Sequence, residues 1–356
     1  MRSLLQRTTR FFSQAKSGMF LHNPNTPTAQ HVTVIPGHHI GPELTSNVMK
    51  VFDVAEIPLN FDVINNFDFD IEEHRKQLNK NQFILLGNLG QKGSRYVEHL
   101  DFYKYLDLFA RVTHIYNMPN VKARQKDLNI VIFRENLESE YSGVEHEVVD
   151  GVFESLKIVT KTNSLKIAEY AFQYAFFTGR KKVSAVHKAN IMKMADGLFL
   201  QATREVAKKY PTIKYEEVII DNCAMQMVKN PQQFDVMVMP NLYGSIITSI
   251  GAGLVGGPAY IPGVSVGSDY MLFDQACRNS GINITGKNLA NPTALILSAA
   301  EMLKSMHLNR YAELIVDSVY NVYQEGKHYT DSLDETQTSA FMERLCDEIL
   351  ILKKKM

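Results

Sequence analysis

No aspartate or glutamate occurs before Glu43. Over that stretch Arg2, Arg7, Arg10 and Lys16 are interleaved with Leu4, Leu5, Phe11 and Phe12. An acid-poor, Arg-rich, amphipathic start is the pattern of a mitochondrial presequence. The sequence therefore predicts import into the mitochondrial matrix, with residues 1–25 taking no part in the fold; a plain unstructured tail is the simpler alternative. Cysteine is scarce: Cys223, Cys277 and Cys346 lie far apart, and none sits in a CxxC pair. That spacing excludes a disulfide framework or a thiolate metal site and fits a reducing compartment. No run of 18 apolar residues is present, so no transmembrane segment is expected. Net charge is absent too, with 38 basic against 38 acidic residues. Without a basic block there is no footprint for nucleic acid. The Lys353–Lys355 run reads as a solvated helix end.

What remains is ordinary core-forming material. The chain has 356 residues, 45% hydrophobic and 21% charged, a length that predicts two domains. Apolar runs at His31–Ile35, Phe83–Leu86, Leu128–Phe133, Val183–Val186, Val218–Asp221 and Val236–Met239 read as strands. Between them lie helical stretches: one opens at Gly41-Pro42, with proline at the first helical position. A second is capped by Asn163 and runs to about Phe177. A third is capped by Asn291-Pro292, and two more complete the C-terminus. Such alternation predicts an α/β fold with a mostly parallel sheet and flanking helices. No G-x-G-x-x-G follows the first strand, so a Rossmann nucleotide site is not supported. In sheets of this kind ligand sites form at strand ends. Three places qualify: Arg134 to Tyr141, His187 to Lys193, and Asp221-Asn222.

The most informative absence lies in Pro240-Asn241-Leu242-Tyr243-Gly244-Ser245-Ile246-Ile247-Thr248-Ser249. Residues 245 and 249 are four apart and share one helix face. Two carboxylates there would make a hard oxygen site for Mg²⁺ or Mn²⁺, but this chain carries two hydroxyls. Other motifs are intact. They include Ile35-Pro36-Gly37 with Ile40-Gly41-Pro42-Glu43, and Arg134-Glu135-Asn136 through Tyr141-Ser142-Gly143-Val144-Glu145-His146. His187-Lys188-Ala189-Asn190-Ile191-Met192-Lys193, Asp196-Gly197-Leu198-Phe199, Asp221-Asn222 and Gly286-Lys287-Asn288 through Ala294 follow in order. With these motifs the chain resembles the isocitrate and isopropylmalate dehydrogenase family. Within it the resemblance is to the mitochondrial NAD-dependent isocitrate dehydrogenase subunits, of the regulatory, non-catalytic type. It covers about residue 31 to the C-terminus and is specific only as a set.

The resemblance implies a two-domain fold outside the Rossmann class. Residues 26–101 with 257–356 would form the large domain, and 102–256 the small domain with the dimer interface. The implied reaction oxidises isocitrate, passes hydride to NAD⁺ and releases CO₂. It needs an acid/base pair, a divalent metal and arginines for the substrate carboxylates. Tyr141 and Lys188 match the acid/base pair, although alone a tyrosine at a strand end is usually structural and such a lysine usually a solvated charge. Asp221 matches a metal aspartate, and with Lys188 it would reach into a partner's active site in trans. Ser245 and Ser249 stand at the two other metal positions, now degenerate.

Of the family's three substrate arginines only Arg134 remains, the others being replaced at Tyr103 and Thr113; Val97 and His99 replace two further substrate-loop residues. Losing two charged contacts removes about 3–6 kcal/mol, roughly a hundred- to ten-thousand-fold in affinity. Arg95, Lys104 and Arg111 lie nearby in sequence as candidates to compensate in part, although nothing in their spacing shows it. Asn291 falls at a cofactor position. Cys277-Arg278-Asn279-Ser280-Gly281 replaces the nucleotide loop; it reads as a surface turn, or as a place where Arg278 meets the phosphate of an effector. His38-His39 project differently from one backbone and make a poor metal pair.

The expectation is therefore a subunit of a hetero-oligomer, partnered by a homologous catalytic isocitrate dehydrogenase subunit. NAD and Mg²⁺ or Mn²⁺ would be held by the complex, and citrate, AMP or ADP is the effector class implied. A catalytic subunit with a rearranged metal site, or a scaffold in another mitochondrial assembly, remain as rivals.

Overall fold

A computed structural model describes residues 30–68, 71–89, 98–277, 280–326 and 336–355. The expected presequence, Arg95, Val97 and Arg278 lie outside these residues. The strands are β1 (Gln30–Gly37), β2 (Leu59–Val63), β3 (Phe83–Asn88), β4 (Ala110–Tyr116), β5 (Asn129–Glu135), β6 (Glu145–Val149), β7 (Val152–Ser155), β8 (Lys182–His187), β9 (Lys214–Ile219), β10 (Val236–Met239), β11 (Pro262–Val266) and β12 (Met271–Gln275). The helices are α1 (Gly41–Ala55), α2 (Glu72–Leu78), α3 (Glu98–Tyr105), α4 (Lys161–Thr178), α5 (Ala195–Ala207), α6 (Ile220–Lys229), α7 (Asn241–Val255), α8 (Thr293–Ser305), α9 (Asn309–Glu325) and α10 (Thr338–Lys353).

Ten strands form one sheet in the order β2-β1-β3-β12-β11-β4-β5-β10-β8-β9. Strands from residues 30–88 and 262–275 occupy one half, and those from 110–239 the other. Pairing is parallel toward both edges, as expected from strands that alternate with helices. In the middle, β11 pairs antiparallel with β12 and with β4, and β4 with β5. Every residue of β3 and β10 is buried. That is why both read as unbroken apolar runs, since strands covered on two faces have no polar side to show.

Helix α8 lies deepest. All thirteen of its residues are buried, and its sequence is correspondingly apolar on every side. Several of its polar groups are paired within the helix: Ser298 Oγ donates to Ala294 O at 2.8 Å, Ser305 Oγ to Glu301 O at 3.0 Å, and Lys304 Nζ to Glu301 Oε1 at 2.8 Å. On the same face, over the sheet's second half, Phe133 packs edge-on to Tyr170 of α4, and Tyr174 packs beside it. Truncating a buried aromatic of this kind costs about 3–5 kcal/mol.

Two sequence expectations shift. Thr160, not Asn163, caps α4: its side chain accepts from the Asn163 N–H at 3.2 Å. Asp221 does not end a strand, because β9 stops at Ile219 and Asp221 lies in the first turn of α6. A carboxylate there faces the positive end of the helix dipole.

The hairpin β6–β7 stands apart from the main sheet. Every residue in it is exposed, including Val149, Val152 and Phe153. Asp150-Gly151 makes its turn, with Gly151 at φ +77. A lone two-stranded hairpin is marginal in water, and apolar residues on it need a covering surface. Among the described residues no helix is long and apolar enough to cross a membrane.

Candidate functional site

Polar residues collect in two groups near the C-terminal ends of the strands. In the first, Arg134 on β5 donates from Nε at 2.8 Å and from Nη2 at 2.6 Å to Asn241 Oδ1, at the start of α7. Asn241 is fixed in turn by its Nδ2, which donates to Glu138 O at 3.1 Å. The guanidinium lies 5.0 Å from the centre of the Tyr141 ring, within cation–π range. Tyr141 belongs to a short 3₁₀ turn, Glu140–Ser142.

Two buried carboxylates build the approach to that turn. Glu135 accepts the N–H of Leu137 at 2.7 Å and that of Glu138 at 3.2 Å. Burial pushes Glu135 up to about 7, against the pull of those N–H groups. Glu138 accepts the Thr160 N–H at 2.8 Å, the Thr160 hydroxyl at 2.9 Å and Asn163 Nδ2 at 2.9 Å, which ties the turn to the start of α4.

Ser245 and Ser249 follow on α7, one turn apart. Ser249 Oγ donates to Ser245 O at 3.0 Å, so the hydroxyl is turned back on its own helix. The Cys277 thiol lies against it; burial raises that thiol, opposed by the charges of Arg111 and Arg134 and by the Ser249 contact. A neutral hydroxyl offers no charge to a divalent cation. Among the described residues no three His, Cys, Asp or Glu side chains gather as metal ligands. The cis residues of this cleft do not fit Mg²⁺ or Mn²⁺ by themselves.

Arg111, expected as a candidate substrate contact, is engaged elsewhere. It is 3% exposed and pairs with Asp274 at 2.8 Å. Its other donors reach Ser265 Oγ at 2.9 Å and the carbonyls of Gln275 and Ala276 at 2.6 and 3.2 Å. Lys104 points to the Ser142 carbonyl, 3.4 Å away. Thr113 is buried in the sheet, and Tyr103 is buried edge-on to Phe102. Asn291 accepts the Thr293 N–H at 3.0 Å and so opens α8.

The second group holds Lys188 and Asp221, whose side chains form an ion pair with each other. The hydrogen bond from Lys188 holds Asp221 below the usual carboxylate range. The Asp221 side chain is 64% exposed. The segments that carry the pair also expose apolar side chains, Ile191, Met194, Met225 and Val228, beside polar ones such as Lys193 and Asn222.

A buried ionic cluster lies between the two groups. Lys157 Nζ is 2.6 Å from Asp196 and 3.2 Å from Glu140, the residue before Tyr141. Sequence reading missed Lys157, which falls in no motif. Asn241 and Asp196 do fall in matched motifs, but a motif fixes a position without naming the partner it holds.

Comparison with known proteins agrees with this frame. The isocitrate/isopropylmalate dehydrogenase family model matches residues 31–349. The NAD isocitrate dehydrogenase catalytic subunit 5, mitochondrial, of Arabidopsis thaliana is 46% identical over 89% of this chain and 88% of its own. Regulatory subunit 1 of the same organism is 44% identical over 92% and 91%. Overall identity thus does not separate the two subunit types. The crystal structure of isocitrate dehydrogenase from Methylococcus capsulatus superposes with a TM-score of 0.86 at 34% identity, over 90% of this chain and 99% of that one. The chain belongs to the isocitrate/isopropylmalate dehydrogenase family.

Proposed function

We propose that the chain is a regulatory-type subunit of NAD-dependent isocitrate dehydrogenase in the mitochondrial matrix, assembled with a homologous catalytic subunit. The observation that carries this reading is the division of its site residues. The cis metal positions Ser245 and Ser249 are hydroxyls, while Lys188 and Asp221 stand at an exposed surface that carries apolar side chains as well. Residues placed there serve a neighbour's cleft better than their own. The exposed apolar face of β6–β7 supports the same reading, because a partner would cover it.

In the complex, Asp221 supplies one carboxylate to the metal site of the catalytic subunit and Lys188 supplies a mobile proton. Mg²⁺ or Mn²⁺, held there in part by Asp221, would supply Lewis-acid polarisation for the oxidation of isocitrate by NAD⁺. The chain's own cleft keeps Arg134 and Tyr141, a guanidinium and a phenol suited to one carboxylate of a citrate-like effector. The two lobes of this assembly are residues 26–101 with 257–356, and residues 102–256, the second carrying the interface.

The test is NADH formation from isocitrate with Mg²⁺, for the purified chain alone and after mixing with a catalytic subunit carrying both metal aspartates. The expected result is no turnover alone and full turnover in the mixture. Turnover by the isolated chain would make it a catalytic subunit with a rearranged metal site. Failure to assemble with any isocitrate dehydrogenase subunit would make it a scaffold.

A further inference from the structure

Asp196 has no exposed surface, yet three groups from three parts of the chain converge on its carboxylate. Oδ2 accepts the main-chain N–H of Lys188 at 2.6 Å and the Tyr243 hydroxyl at 3.0 Å. Oδ1 is paired with Lys157 Nζ at 2.6 Å. A buried carboxylate persists only with such compensation. Burial by itself would lower Lys157, but its bond to and charge pairing with Asp196, together with the Tyr243 and Glu140 contacts, raise it overall. Lys157 also donates to the Tyr243 hydroxyl at 3.2 Å and lies 4.5 Å from the centre of its ring.

We propose that Asp196 is a positioning residue: by holding the main-chain N–H of Lys188, it sets where the Lys188 ammonium is presented to the partner's active site. The inference rests on the reading of Lys188 as a donated residue. The Lys188 peptide is held from its other end as well, since its carbonyl accepts from Ile191 N at 3.0 Å and Met192 N at 2.9 Å. A lysine has a long flexible stem, so an exposed one reaches a fixed point reliably only if its backbone is anchored. Asp196 does the anchoring, and Lys157 supplies its counter-charge. Because Lys157 also pairs with Glu140, and Tyr243 shares the first turn of α7 with Asn241, the same carboxylate ties the Lys188 loop to the Tyr141 turn and to the residue gripping Arg134.

The experiment uses the complex with the catalytic subunit and two variants. Asp196→Asn removes the charge at constant shape. Asp196→Leu with Lys157→Met removes both charges together, a replacement that buried ion pairs commonly tolerate. For either, kcat is expected to fall roughly 10- to 100-fold, with KM for isocitrate little changed. The Lys188 amide is expected to lose its hydrogen-exchange protection. If Asp196→Asn does not assemble, the charge-balanced pair carries the test. An assembled variant with wild-type kcat and a still-protected Lys188 amide overturns the proposal. Lys188→Ala is assayed beside them. If it keeps full activity, the donor reading fails, and Lys188 amide exchange still decides the anchoring. If it is inactive while the Asp196 variants behave as wild type, only the anchoring fails.

Discussion

Arg111 and Arg134 face each other across the β4–β5 ladder and turn to different partners. Arg111 is buried against Asp274, whereas Arg134 is held by Asn241 over the Tyr141 ring. One guanidinium stitches β4 to β11 and β12; the other faces the cleft. Arg111→Ala should therefore cost stability, by about 3–5 kcal/mol as for the loss of one member of a buried ion pair. Effector binding to the complex should not change. Denaturant unfolding and a binding titration check the two halves of this statement.

Gly244 makes room for Arg134. A Cβ at that position would sit 2.5 Å from Arg134 Cγ and 2.6 Å from its Cβ, near the root of the side chain where little can give. Gly244→Ala should push Arg134 off Asn241 and destabilise the fold by about 1–3 kcal/mol. Thermal unfolding reads the stability, and weakened binding of a tricarboxylate effector reads the displacement.

Restoring the missing carboxylates should restore metal binding. Ser245→Asp with Ser249→Asp places two carboxylates on one face of α7, at a cost of a few tenths of a kcal/mol in like-charge repulsion. In the complex this variant should be stabilised by Mg²⁺, by about 2.7 kcal/mol at a hundred times the dissociation constant. The wild-type complex should gain only from the catalytic subunit's metal site, so the variant should show an additional Mg²⁺ stabilisation. Thermal melts with and without the cation measure the difference.

Glu135 should make stability depend on pH. Burial raises its pKa to about 7 in the folded protein, from an ordinary value of 4.5. The folded state then binds more protons than the unfolded one between those values, so stability falls as pH rises through the window. The loss is of order 3 kcal/mol and is complete above about pH 7. Glu135→Gln should flatten that part of the curve, as read by urea unfolding at pH 5 and pH 8. A steeper fall in the variant would contradict the assignment.

Much of the fold was legible. Val236–Met239 has the bounds expected, and Gly41-Pro42 opens its helix, because buried runs and proline at a first turn carry their signal locally. The antiparallel centre was not legible. Strands β11 and β12 are short, hold Pro262 and Gly263, and owe their pairing to neighbours distant in sequence. The exposed β6–β7 hairpin has only a short local signal, the Asp150-Gly151 turn. At the site, the one-turn spacing of Ser245 and Ser249 on α7 was readable from helix geometry. Which cations were already engaged could not be read: Arg111 looked available until its partners Asp274 and Ser265 were seen, each more than 150 residues away.

The lending of Lys188 and Asp221 to a neighbour is read most directly from the turnover of a complex assembled from the Lys188→Ala chain and an unaltered catalytic subunit. A loss of about a hundredfold or more in kcat is expected, the scale of a general acid–base contribution, with the complex still intact by size-exclusion chromatography. Wild-type turnover in that intact complex would contradict the donor role.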